Sequence, residues 1–320
     1  MLYYLGKEIM EKIENKLITT YMCPDLDGVA SAIAYAEYLN ENGIKSFASI
    51  FGQPTVEARY VMDYLKVEIS DKVIPFAEIT LVDASTKFGL PKIIELYKVT
   101  EIIDHRKNTN LEYFSNLNNT QIELVGAAAT LICEKFASSN TKISKNTAIL
   151  LHQAIISNTL NLKANTTTEK DKQALVYLKS KVKIPEELTH SMFLAKSEMS
   201  GAKLAENIRG DIARAEFGAH SFLIGQLEMI GVAELVQSRK PEIIEILEEE
   251  RVKYKMGHSF ISLIDLETGK NTLICTEKVV QNMLENILHL RFDNNVATLN
   301  SLIMRKEITP LLREYLLSNK

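Results

Sequence analysis

Two aspartates one residue apart, Asp25 and Asp27, sit in the short stretch "CPDLDG". An apolar strand-like run, "KLITTYM", precedes them, and an Ala-rich helical pattern follows from Val29 to Asn42, ending before Gly43. Two further strand-like runs end on comparable groups. "EITLVDAS" reaches Asp83, and "VTEIIDH" reaches Asp104 and His105. Carboxylates brought together cannot all stay ionised without cations. Oxygen and imidazole ligands of this kind suit Mg²⁺ or Mn²⁺. Two such ions can clamp the attacking and leaving oxygens of a phosphoryl transfer. Each residue alone has a plainer reading, because an aspartate after a strand is often a turn residue or a helix N-cap. Asp27 by itself is as well explained by capping. Recurrence at three strand ends is what favours a metal site.

The elements that must position these groups alternate. "KSFASIF" reads as a strand and "TVEARYVMDYL" as a helix, and "PKIIELYK" as a helix between the two aspartate-bearing strands. Helical patterns follow at Gly126 to Ala137, Asn146 to Leu160 and Glu169 to Lys181. Strands alternating with helices predict a parallel sheet covered on both faces, whose sites lie at the carboxyl ends of its strands. The order changes near "KSKVKIPEELTH", which places a domain boundary at about 185–192. The expected domains are 1–188 and 192–320. In the second, a helix is expected over Glu206 to Ala215 and a charged helix over Lys240 to Lys255. Strands are expected at "SFLIGQLEMI", "SFISLIDL" and "NTLICT", and a helix at Glu277 to Leu288. The expected fold class is therefore α/β: a parallel-sheet N-terminal domain with a smaller α/β C-terminal domain.

Composition narrows the function. Apolar residues make up 46% and charged residues 24% of 320 residues, which is globular rather than disordered. The formal net charge of −4 and the lack of a basic run argue against a nucleic-acid polymer as partner. No apolar run reaches the ~20 residues of a membrane span. "MLYYLGKEIMEKIENKL" lacks the layout of a signal peptide. Cys23, Cys133 and Cys275 are scattered and odd in number, so neither a disulfide framework nor a zinc site is expected. A cytoplasmic setting fits best; a homodimer stays open.

The strings "CPDLDGVASAIAYAEYL", "LVDAS", "IIDHRK", "VGAAATLICEKF" and "AIISNTLNLKANTTTEKD" together resemble the DHH phosphoesterase superfamily. Within it the manganese-dependent family II inorganic pyrophosphatases and short-chain exopolyphosphatases are most similar. "FGQPTVEARYVMDYL" resembles that branch too, and "MFLAKSEMSG" and "MRKEITPLL" resemble its substrate-capping domain. The Gly-rich histidine motif of the oligoribonuclease branch is not apparent. The resemblance implies that Asp25 binds a first metal, that Asp27 and His105 bind a second, and that Asp83 bridges both. It implies that Asp104 orients His105, and that Lys196, Arg305 and Lys306 hold phosphate. Near "VGAAAT", the helix N-terminus favours an anion; close packing at Gly126 explains the motif at least as well. Thr168 and Asp171 read as a helix cap.

The chain departs from the family pattern at the chemistry itself. Tyr21, Arg106 and Asn158 stand where the family has a histidine, a second histidine and a metal-binding aspartate. Ala84 and Ser85 replace a His-Asn pair. The expectation is one strong Mn²⁺ or Mg²⁺ site from Asp27, Asp83, His105 and the Asn158 carbonyl, and a weak second position near Asp25. His152, six residues before Asn158, reads as a packed helix histidine rather than a substitute ligand. Arg106 is expected either to neutralise a ligand phosphate or to pair with a nearby carboxylate. Asp83, His105 and Arg106 are the catalytic candidates. Two functions compete: a metal-dependent hydrolase of a phosphoric anhydride or phosphoester, and a catalytically silent protein binding phosphate, nucleotide or polyphosphate in the same cleft.

Overall fold

A computed structural model describes residues 15–69, 71, 74–106 and 109–318; the N-terminal stretch read for a leader lies largely outside these. By its contacts the chain forms two units. One holds the described residues through Thr159 together with Thr166–Glu186, and the other holds Leu160–Asn165 and the residues from Glu187 onward.

The first unit runs β1 (Lys16–Thr19), α1 (Leu26–Glu41), β2 (Ser46–Ala48), α2 (Val56–Leu65), β3 (Glu78–Val82), β4 (Val99–Asp104), β5 (Asn119–Ile122), α3 (Ala128–Ser139), α4 (Lys145–Asn158) and α5 (Glu169–Lys181). Its sheet has the order β2-β1-β3-β4-β5, and every pair is parallel. The α/β reading holds. Leu17, Ile79, Leu81, Val99 and Ile102 pack on one face with Ile94 and Phe114. Helix α1 packs against α3 and α4. Its alanines 30, 32, 34 and 36 are all buried, which lets neighbouring backbones approach closely.

"PKIIELYK" is not the expected helix. Only Leu96–Lys98 form a single 3₁₀ turn. Ile94 enters the core whereas its neighbour Ile93 is exposed. An eight-residue segment anchored only by Ile94 and the half-buried Leu96 cannot offset the cost of helix nucleation. Strand β5, "NTQI", was not foreseen. It is a half-polar edge strand, partly exposed along its length, so it carries no apolar pattern.

The second unit runs α6 (Glu186–Lys196), α7 (Lys203–Gly210), β6 (Ile212–Phe217), β7 (His220–Met229), α8 (Val232–Lys253), β8 (His258–Asp265), β9 (Lys270–Ile274), α9 (Lys278–Leu288), β10 (Val296–Leu299) and α10 (Arg305–Ser318). Its sheet order is β10-β9-β8-β7-β6, with β7 and β8 parallel and the other pairs antiparallel. One face carries Ile243, Ile246 and Leu247 of α8, and the other carries Val280, Leu284, Ile308 and Leu312 of α9 and α10. The helix expected over Glu206 to Ala215 stops at Gly210. "IARAEF" alternates with period two and pairs with β7 instead. Helix α8 starts at Val232 and runs through Pro241, eight residues before the expected start.

Candidate metal centre

Strands β1, β3 and β4 are neighbours in the first sheet, so their carboxyl ends lie side by side. The loop after β1 delivers Asp25 and Asp27, β3 runs into Asp83, and β4 ends on Asp104 and His105. Asp83 turns out of its strand in a left-handed conformation, φ +51°, while its N–H still donates to Ile103 O at 2.8 Å. That conformation is uncommon for a residue with a side chain and marks a position held by its surroundings.

Asp27, Asp83 and His105 form the only group of three or more acidic, His or Cys side chains among the described residues that could share one cation. One ligand atom from each lies within 4.8 Å of the others. His105 Nε2 is 3.4 Å from Asp83 Oδ1 and 3.6 Å from Asp27 Oδ2. The other ring nitrogen, Nδ1, is 2.9 Å from Val125 O. An Nδ1–H donated to that carbonyl fixes the ring and turns Nε2 towards the two carboxylates, where it can ligate a cation once its proton is displaced.

The two carboxylates differ sharply in how they are satisfied. Asp27 accepts the N–H groups of Ala128 and Ala129, both at 2.8 Å, and the Asn158 amide at 2.6 Å. Asp83 is fully buried, yet among the described residues neither of its oxygens accepts a hydrogen bond. A buried carboxylate that accepts no hydrogen bond is costly, and beside a second carboxylate and an imidazole nitrogen it is what a divalent cation would satisfy. The donor set fits Mn²⁺ or Mg²⁺.

The electrostatics agree. Burial and the Asp83 charge push Asp27 up to about 8. Burial also raises Asp83, opposed by Arg106. Burial works against charging His105, but its contact with Asp83 and the charges of Asp27 and Asp83 prevail and raise it to about 9. The centre thus retains protons that a bound cation would replace.

The remaining candidates fall into place around this trio. Asp25 is the N-cap of α1, its Oδ1 accepting the N–H groups of Asp27 and Gly28. Tyr21 accepts the Asp25 N–H on its phenolic oxygen, and burial raises its pKa, so it stays a neutral phenol. Arg106 places Nη2 3.1 Å from Asp83 Oδ1 and its guanidinium 5.1 Å from the centre of the Tyr21 ring. The carboxylate-pairing alternative for Arg106 is therefore present. Asn158 faces Asp27 with its amide nitrogen, as a donor, whereas a carbonyl ligand was expected. Asp104 accepts the backbone N–H of His105 and of Arg106 and the Ser85 hydroxyl. It shapes the strand end, while Val125 orients the imidazole ring. His152 is buried in α4.

Lys196, Arg305 and Lys306 lie in the second unit. Lys196 pairs with Glu228 at 2.7 Å, Arg305 with Asp211 at 2.6 Å, and Lys306 is exposed.

Two supports of the centre were not read from the sequence, the Val125 carbonyl and the reach of Asp171 to Gly126; the Ala128 and Ala129 amides belong to the helix N-terminus read as favouring an anion. Asp171 accepts the Gly126 N–H, the Thr130 hydroxyl, and the Thr168 N–H and hydroxyl, closing the cap anticipated at α5. A Cβ at Gly126 would lie 2.4 Å from Thr159 Cγ2, so close packing explains this glycine. The anion drawn to the α3 N-terminus is the chain's own Asp27.

A parallel α/β unit with an acidic, imidazole-bearing candidate cation site at its strand ends, followed by a mixed α/β unit, defines the class. The model of the DHH family, N-terminal domain, matches residues 15–155, and that of the DHHA2 domain matches residues 190–315. The chain belongs to the DHH family. It is 30% identical to a probable manganese-dependent inorganic pyrophosphatase of Bacillus velezensis, over 95% of this chain and 99% of that one. It is 29% identical to the manganese-dependent inorganic pyrophosphatase of Bacillus subtilis, with the same coverage. Among solved structures, a putative family II inorganic pyrophosphatase of Methanococcus jannaschii aligns with a TM-score of 0.71 at 26% identity, covering 94% of this chain and 99% of that one. No described helix is long and apolar enough to cross a membrane.

Proposed function

We propose that this chain is a divalent-metal-dependent hydrolase of a small phosphoric anhydride or related phosphoester, of pyrophosphatase type. The observation that carries the reading is Asp83: fully buried, without a hydrogen bond on either oxygen among the described residues, beside His105 and Asp27. The relatives named as manganese-dependent inorganic pyrophosphatases support the same class.

Asp27, Asp83 and His105 would hold the cation, Mn²⁺ first and Mg²⁺ second. Bound there, it supplies Lewis-acid stabilisation of phosphoryl charge and acidifies water. The protein's own groups do the rest. Val125 keeps the His105 lone pair aimed inward, the α3 amides and Asn158 keep the Asp27 carboxylate in place, and Asp104 and Ser85 fix the strand end that carries His105. Arg106 sets positive charge beside Asp83, where developing negative charge on a phosphoryl oxygen is stabilised. The N-terminal domain, residues 1–188, is thus assigned metal binding, and residues 192–320 phosphate binding. Lys306 is the exposed cation there, whereas Lys196 and Arg305 would exchange Glu228 and Asp211 for phosphate.

Two observations favour the rival reading of a silent phosphate-, nucleotide- or polyphosphate-binding protein: the neutral Asn158 and the Arg106–Asp83 ion pair. One assay separates the two. The full chain is incubated with Mn²⁺, Mg²⁺ or Co²⁺ and pyrophosphate, tripolyphosphate or small phosphoesters, and released phosphate is measured. We expect metal-dependent release that falls by about a hundredfold or more in Asp83→Asn. Tight binding of these compounds without release would overturn the hydrolase reading.

A further inference from the structure

A second cation beside the first would need a second set of ligand atoms. Among the described residues, no other group of three or more acidic, His or Cys side chains could hold an ion. The nearby carboxylates are at least partly engaged in holding backbone. Asp25 Oδ1 caps α1 by accepting two backbone N–H groups. Asp104 has one oxygen on the backbone N–H groups of His105 and Arg106 and the other on the Ser85 hydroxyl. The phenolic oxygen of Tyr21 is likewise engaged, accepting the Asp25 N–H at 3.2 Å.

A fixed positive charge stands there instead. Arg106 Nη2 lies 3.1 Å from Asp83 Oδ1, and the guanidinium faces the Tyr21 ring. A cation over an aromatic face is attracted by the ring quadrupole. A dication placed next to this group would meet like-charge repulsion in a partly desolvated site. The Arg106 side chain nevertheless remains 41% exposed. With five N–H donors in a planar fork, it can contact Asp83 and still present donors to an anion.

We infer that this is a one-metal centre, in which Arg106 serves as the built-in second cation and binds a phosphate oxygen of the ligand directly. The inference rests on the metal-site reading above and deepens it. It assigns the site an anion-binding specificity residue in place of a second ion.

The test begins with metal alone. The full chain, stripped with chelator, is titrated with Mn²⁺, and free Mn²⁺ is followed by electron paramagnetic resonance. One tight equivalent is expected. Two equivalents of similar affinity, or none, would overturn the inference. Orthophosphate binding to the Mn²⁺-loaded protein is then measured for the wild type, Arg106→Gln and Arg106→Lys. Loss of a charge-assisted contact should weaken phosphate binding about tenfold or more in the glutamine variant. The lysine variant should recover part of this, and both should keep one Mn²⁺. Unchanged phosphate affinity in Arg106→Gln would overturn the anion-binding role. Should that variant fail to hold its Mn²⁺, the lysine variant decides: full wild-type phosphate affinity is expected to be lost there too, because a point charge does not reproduce the fork, and its retention would refute the role. Two equivalents together with pyrophosphate hydrolysis would sink this inference and leave the hydrolase reading intact. One equivalent with phosphate binding but no phosphate release would do the reverse.

Discussion

At the scale of the residue, Asp83 is the group on which the centre turns. It combines a left-handed backbone, full burial and two oxygens without hydrogen bonds among the described residues. Burial raises its pKa, so at neutral pH the charged form costs folding energy unless a cation is bound. Asp83→Asn keeps the shape and tolerates φ > 0, since asparagine enters that region readily. The metal-free variant should therefore be more stable than metal-free wild type, by roughly 1 kcal/mol or more. With saturating Mn²⁺ the order should invert, because only the wild type is stabilised by a bound ion. Thermal melts with and without Mn²⁺ check this, and a variant that loses stability equally in both conditions contradicts it. Asp25→Ala should behave differently, losing about 1 kcal/mol of capping energy with little change in Mn²⁺ affinity. The acidic and imidazole groups were legible because each follows an apolar run that ends abruptly on them. What stayed illegible was the chemistry done by backbone. The Val125 carbonyl has no residue type to announce it, and the Ala128 and Ala129 amides were legible as an anion site but not as partners of Asp27. Asn158 could be seen as a changed ligand, but its role as donor to Asp27 depends on which end of an amide faces a carboxylate.

At the scale of the element, the centre depends on how the N-terminus of α3 is pinned. Asp171 on α5 is fully buried and accepts four donors, one of them the Gly126 N–H. Gly126 lies between Val125, which orients His105, and the two amides that grip Asp27. Removing that carboxylate leaves several buried donors without a partner. Asp171→Ala should cost roughly 3 kcal/mol of stability, and should weaken Mn²⁺ binding although residue 171 touches none of the three candidate ligands. Asp171→Asn should fall between. A destabilised Asp171→Ala with unaltered Mn²⁺ affinity would show that α5 supports the fold but not the centre. The cap at Thr168 and Asp171 was readable from "NTTTEKD", yet its reach to Gly126 is a tertiary fact. The elements misread share one cause: local pattern was outweighed by neighbours. "IARAEF" carries no strong apolar signal, and only pairing with β7 makes it a strand. "PKIIELYK" looks helical, but Ile94 is drawn into the sheet core and the turn never propagates.

At the scale of the whole molecule, alternation of strands and helices was enough to predict a parallel sheet first and a mixed α/β unit second. Strand order was not readable, although it is the order β1-β3-β4 that brings three separated motifs to one place. A global consequence follows from His152, a histidine the centre does not use. It is buried in α4, its Nε2 has no hydrogen-bond partner among the described residues, and its Nδ1 lies 3.4 Å from the Gln153 amide nitrogen. Burial, with a smaller contribution from Lys179, depresses it from 6.5 to about 4. Between those values the unfolded chain binds a proton that the folded chain does not, so acid favours unfolding. The stability held by neutral His152 is complete above pH 6.5 and is lost progressively as pH falls towards 4. The total is on the order of 3 kcal/mol. His152→Leu removes the titration and should flatten this part of the profile. Urea unfolding of the metal-free protein between pH 7 and 5, followed by amide exchange on α1, α3 and α4, measures it. The wild type should lose stability steadily over that range and His152→Leu distinctly less; parallel profiles would place the acid sensitivity on the carboxylates instead.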